Sequence, residues 1–122
     1  MRDDIYQKLS EIKLENFVLT LFIAAAIVDI LANDDIKKSY LNGNGQEDAR
    51  KKFILASLLV LIVFGYFAYR NYKNLKELNP NSREYHYAYV RFIGSIFAII
   101  GELLILYYFV NSPELNDDFI WG

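Results

Sequence analysis

The chain of 122 residues is long enough for one domain, carries thirteen basic and fifteen acidic residues for a formal net charge of −2, and contains no cysteine. Near balance of charge leaves no broad basic surface for nucleic acid. The missing thiols exclude disulfides, thiolate metal sites and cysteine nucleophiles.

The first element opens with four acids and three bases between Met1 and Asn16, unlike the basic start of a cleavable signal, so the segment is expected to stay as an anchor. A helix is expected from Asp3 or Asp4, where a carboxylate can cap free amides. Ile5, Leu9 and Ile12 recur at helical spacing and make this start amphipathic, either lying on the membrane interface or running straight into the bilayer. The apolar run Phe17 to Ala32 follows, interrupted only by Asp29. Residues 3–32 are thus an amphipathic start and a first membrane span. Asn, Asp, Lys and Gly residues, with Asn42-Gly43-Asn44-Gly45 at their centre, then predict a polar loop over 33–46.

A second helix is expected over 47–78. Within it, Phe53 to Tyr69 is a run of seventeen residues without a charge. Lys51 and Lys52 abut the run and can snorkel, Gly65 suits packing or a slight bend, and the helix continues beyond Tyr69 until Pro80 stops it. Asn81 and Glu84 have the spacing of a cap and an acid at the third helical position. They open a third helix over 82–111, whose apolar run from Phe92 to Val110 is broken only by Glu102. Residues 112–122 form a short acidic tail in which Phe119, Ile120 and Trp121 can return to the interface. Tyrosines cluster near the ends of the spans, as in an aromatic belt that anchors depth.

A hydrocarbon core about 30 Å thick needs roughly 20 helical residues, with about 17 as the lower bound, and all three segments reach it. A soluble bundle would show polar residues every third or fourth position on its solvent face, which Phe53 to Tyr69 lacks. The expected fold is therefore all-α: a single membrane domain over 1–122 with three transmembrane helices, the first two extending beyond the bilayer. The expected home is the cell membrane, plasma or bacterial inner. Eight basic residues (Arg2, Lys8, Lys13, Arg70, Lys73, Lys76, Arg83, Arg91) fall on the amino-terminal side and five (Lys37, Lys38, Arg50, Lys51, Lys52) on the other. That bias places the amino terminus in the cytoplasm and the carboxyl terminus outside.

Glu102 is the sharpest chemical signal, because a carboxylate at that depth must face protein, water or a basic partner. It reads as an ion or proton site, or as a paired acid that fixes packing, the second being preferred. Asp29 falls on the same side and can share a proton with it, although the headgroup region is its expected place. Arg91, Ser95, Ala98 and Glu102 follow at steps of four, three and four along one face, with Gly94 and Gly101 on or beside it. Small residues there predict a helix interface within the chain or between copies. Arg91 and Glu102 are too far apart to pair and need different partners. His86, the sole histidine, reads as an interfacial polar residue.

Phosphate-binding glycine motifs, metalloprotease motifs and serine-nucleophile motifs are absent, so no cofactor, no metal and no enzymatic activity are expected. The partners are the lipid bilayer and either a second copy or another membrane protein. The preferred role is a scaffold, accessory, inhibitory or immunity-type protein acting through helix interfaces. A homo-oligomeric cation or proton channel or small transporter using Glu102 is the runner-up, and membrane disruption ranks below both.

Overall fold

The computed structural model describes residues 2–43 and 45–113, with side chains from Asp3 onward, so the tail beyond Pro113 lies outside the described residues. Three helices account for nearly all of it: α1 Arg2–Asn42, α2 Gln46–Lys76 and α3 Arg83–Asn111. Each is long and apolar enough to cross a membrane, and large apolar side chains such as Ile62, Phe97, Leu104 and Tyr107 stand exposed on their surfaces. The chain is an all-α, multi-pass membrane protein.

The main departure from expectation is at the first connection. The polar loop predicted over 33–46 is helical as far as Asn42, and the next helix begins at Gln46. α1 contains no glycine or proline along its length, so nothing in residues 33–42 breaks the backbone ladder. Its buried seam also continues through them: Ala32 and Ile36 pack with Ala49 and Phe53 of α2 and Phe109 of α3 in the one apolar cluster fed by all three helices. Burial of that seam outweighs the weak local preference of Asn and Asp for turns. Gly43 ends the helix with φ of 77°, its N–H bonded to the Ser39 carbonyl at 2.8 Å, a left-handed cap that a residue with a Cβ resists. Gly45 follows at φ 110°, and the first turn of α2 carries Glu47 and Asp48 where the helix dipole favours acids.

At its other end α2 closes with Lys73 and Lys76 in the last turn, suited to the negative end of the dipole. The α3 cap is Ser82, not Asn81: its hydroxyl accepts the Tyr85 N–H at 3.1 Å and donates to the Asn79 carbonyl at 2.7 Å. The Asn79 side chain also accepts the Asn81 N–H, which draws Asn81 into the preceding turn, one residue ahead of the cap position that Ser82 holds. Asp3 and Asp4, expected as caps of α1, sit inside its first turn.

α2 is the central helix, packed on α1 along one side and α3 along another, while α1 and α3 scarcely meet. Along α1 the inward face steps by alternating threes and fours through Glu15, Val18, Phe22, Ala25, Asp29 and Ala32, the spacing of a left-handed helix pair. Glu15 pairs with Arg70 at 2.6 Å, Phe22 meets Phe64 at 6.3 Å between ring centroids, and Asp35 pairs with Lys52. Each step along α1 is matched by an opposite step along α2, as antiparallel packing requires. The two ion pairs stand twenty residues apart on α1 and eighteen on α2, or about 30 and 27 Å at the helical rise. That spacing matches the hydrocarbon thickness of a bilayer. Arg91 to Asn111 gives α3 the same reach.

Two measurements test this arrangement. In Gly45 a Cβ would come within 2.7 Å of the Asp35 carbonyl oxygen, whereas at Gly43 it would meet nothing within 4 Å. Both substitutions to Ala carry left-handed strain of about 1–2 kcal/mol, and Gly45→Ala adds the backbone clash, so it should lower the thermal midpoint in detergent more than Gly43→Ala. Because the chain has no cysteine, Leu41→Cys and Glu77→Cys should react with a membrane-impermeant maleimide from opposite faces of sealed vesicles. Ile62→Cys should stay unlabelled, and labelling of 41 and 77 from one face would overturn the assigned depth.

Candidate intramembrane carboxylate site

Glu102 lies near the middle of the membrane-spanning part of α3, about 16 Å from the level of Arg91 and about 13 Å from that of Asn111 at the helical rise. The Ser57 hydroxyl of α2 donates to its Oε1 at 2.5 Å. Ser57 is itself buried, at 3 % exposure, so in this apolar surrounding the two polar groups answer each other's need for a partner. Asp29 of α1 reaches the same cavity, about 130 Å³ in volume, whose remaining walls include Phe53, Phe64 and Phe109. Asp29 stands six residues along α1 from Asp35, about 9 Å at the helical rise, and the α1 seam turns it toward α2 and this cavity.

Asp29 also lines a second cavity of about 230 Å³ that extends to Asn33 on the side of the first turn. In the other direction the polar groups stop. Val63 is buried and Phe64 meets Phe22 beneath the site, and the next polar contact between α2 and α3 is Asn71 Nδ2 donating to Ser95 Oγ at 2.5 Å. That second cavity is walled mainly by Phe22, Ala25, Ala26, Ile30 and Val60, so the carboxylates lie among apolar groups on both sides, with Asn33 the polar residue toward the first turn.

The residues expected along one α3 face divide into two groups. Ser95 joins Glu102 in contact with α2, whereas an added Cβ at Gly94, Gly101 or Gly65 would meet nothing within 4 Å. These glycines are not points of close approach within the chain, and Ala98 between them is only half-buried. Arg91 is exposed and lines a separate polar cavity with Arg70. His86 is exposed and rests edge-on against Tyr87.

Three contributors were not singled out from sequence. Ser57 and Asn71, the buried polar residues of α2, lie two heptads apart and so share a face, which is the pattern that could have marked them. Arg50 donates to the Phe109 carbonyl at 2.6 Å, placing at the α3 terminus a positive charge that the dipole favours. No sequence signal links those two positions. Phe53 and Phe109 stack beside that bond, centroids 4.7 Å apart and planes within 5°.

No protein-family model, curated protein or solved structure gives a significant match to this chain. Its chemistry is therefore read from its own geometry. Two carboxylates and a hydroxyl around a small cavity can hold a proton or coordinate a small cation. Among the described residues no group of three or more His, Asp or Glu side chains is arranged to hold a metal ion.

Ser57→Ala should leave Glu102 without its hydroxyl donor and destabilise the fold by about 1 kcal/mol, the usual worth of an interhelical hydrogen bond in a membrane. Thermal unfolding in a bilayer mimic measures this. An unchanged midpoint would show that water replaces the hydroxyl.

Proposed function

We propose that this small helical membrane protein binds a proton or a small monovalent cation between Asp29 and Glu102 and supplies the binding step of a translocating assembly. The observation that carries the reading is the convergence of two acids from α1 and α3 on one intramembrane cavity across Ser57 of α2. A single ionised acid at bilayer depth costs about 3 kcal/mol even on the mildest scale, and two adjacent ones repel. Sharing one proton, or holding one cation, relieves both penalties. The cavity has room for a few waters, and a second, mainly apolar cavity runs from Asp29 to Asn33 on the first-turn side. No catalytic step is part of this role.

The apolar floor at Val63 and Phe64 closes the path within one chain, so complete passage requires α3 to shift or a second copy to contribute. This reading puts proton or cation binding ahead of assembly, the reverse of the order expected from sequence, where a role needing only helix interfaces came first. Reconstituted at matched amounts in liposomes, wild-type protein should carry proton or monovalent-cation flux down an imposed gradient. Glu102→Gln and Asp29→Asn should each abolish it, and the double variant should do no more than either alone, since the two acids act as a unit. Equal flux from all four, or none from intact wild-type protein, removes the reading.

Assembly with itself or another membrane protein is the second reading, favoured by a separate observation. α3 buries only Ala88 and Phe109, and the open space over Gly94 and Gly101 would let another helix approach closely. Gly94→Leu with Gly101→Leu should then reduce the mass of the detergent-solubilised particle without loss of helix content. An unchanged mass would remove self-assembly through this face.

A further inference from the structure

At the opposite end of the bundle from the carboxylates, a cavity of about 350 Å³ opens between α1, α2 and α3, walled by Glu15, Phe67, Arg70, Asn71, Asn74 and Arg91. Its charge is unbalanced. The Arg70 guanidinium is engaged by Glu15 at 2.6 Å, while among the described residues no carboxylate oxygen lies within 4.0 Å of Arg91. One surplus positive charge therefore faces the cavity. Donors surround it: Arg70 uses Nη1 on Glu15 and has further N–H groups, and Asn74 adds a side-chain amide. Asn71, 9 % exposed, closes the inner wall and is held there by Ser95.

Depth identifies what meets this cavity. Arg70 lies about 27 Å along α2 from Lys52 at the helical rise, which puts both arginines at the edge of the hydrocarbon, where lipid phosphates lie. Phe67, one turn deeper, supplies an apolar wall at the level where acyl chains begin. Tyr69 and Tyr72 stand exposed beside it, as aromatic residues do at the headgroup boundary. It is also the side that the Lys and Arg bias assigns to the cytoplasm, the leaflet in which anionic lipids concentrate.

We infer that the Arg70–Arg91 cavity is a binding site for a phosphate group, presented by an anionic phospholipid whose chains run down past Phe67. A guanidinium fork matches phosphate oxygens in a bidentate way that a single ammonium does not. The pre-formed Glu15–Arg70 pair holds one fork in place, leaving Arg91 to supply the net charge. Lipid bound there sits between the three helices and links α3 to the α1–α2 hairpin at the end opposite the Phe53–Phe109 cluster. The site shares no residue with the carboxylate cavity, so it stands whether or not Asp29 and Glu102 carry ions.

The test uses full-length protein in phosphatidylcholine nanodiscs, with or without an equal part of phosphatidylglycerol. Lipid retained after gentle detergent extraction is counted by native mass spectrometry. Wild-type protein should retain phosphatidylglycerol in preference to phosphatidylcholine, and Arg91→Gln should lower that retention about fivefold, the worth of one basic side chain at an anionic surface. Arg83→Gln, at the exposed start of the same helix and outside the cavity, should leave retention unchanged. Circular dichroism confirms that both variants keep their helix content. In a parallel arm, inorganic phosphate is titrated into phosphatidylcholine-only nanodiscs against chloride at matched ionic strength. A rise in thermal midpoint that depends on Arg91 would identify free phosphate as the source of the same chemistry. Equal losses in Arg91→Gln and Arg83→Gln would mean diffuse charge attraction and overturn the site, as would retention indifferent to Arg91 together with no response to phosphate.

Discussion

Two ion pairs, Glu15–Arg70 and Asp35–Lys52, lock the register of α1 against α2, and every other contact in the molecule falls between or beside them. In lipid, apolar side chains are no better off against each other than against acyl chains, so greasy faces alone do not decide how far one helix slides along another. Charged pairs at the two hydrocarbon boundaries do, because a slip of one turn would drag four charges out of alignment and into apolar surroundings. With the hairpin fixed, Asp29 and Ser57 take up fixed depths, and α3 needs only to bring Glu102 to Ser57 to complete the cavity.

α3 is joined to this hairpin by a different set of forces. At the first-turn end Phe109 stacks on Phe53 and accepts from Arg50. Deeper in, two hydrogen bonds, Ser57 to Glu102 and Asn71 to Ser95, hold the helix where its surface is otherwise turned to lipid. Polar groups placed in hydrocarbon carry a large desolvation penalty when unmatched, so each bond disfavours alternative rotations of α3 more than it stabilises the native one. This division of labour explains why a helix in contact with a single neighbour can still present one carboxylate to one cavity.

The architecture was legible in the sequence because three apolar runs of membrane length leave few alternatives. The first connection was not, since Asn33 to Asn42 look like loop residues one by one. Only the continuation of the Ala32–Ile36 seam onto Ala49 and Phe53 makes them helical. Glu102 stood out as a lone charge in its span, yet its partner did not, because a serine in an apolar run gives no sign of which neighbour it will face. The turn of Asp29 toward α2 is hidden for the same reason: position along a helix follows from counting residues, but rotation about its axis depends on tertiary contacts. The spacing on α3 suggests a small-residue face, while the structure leaves its glycines without an intrachain neighbour within 4 Å.

The uninterrupted course of α1 has a mechanical meaning. Forty-one residues without glycine or proline make a rod about 62 Å long at the helical rise, clasped at the boundary where Glu15 meets Arg70. From that clasp the rod extends thirteen residues outward to Arg2 and fourteen inward to Asp29, two arms of nearly equal length, about 20 Å each. The outer arm, with Ile5, Leu9 and Ile12 exposed, continues the span as one unbroken helix, so whatever grips that arm holds the same rod that carries Asp29 some 40 Å away.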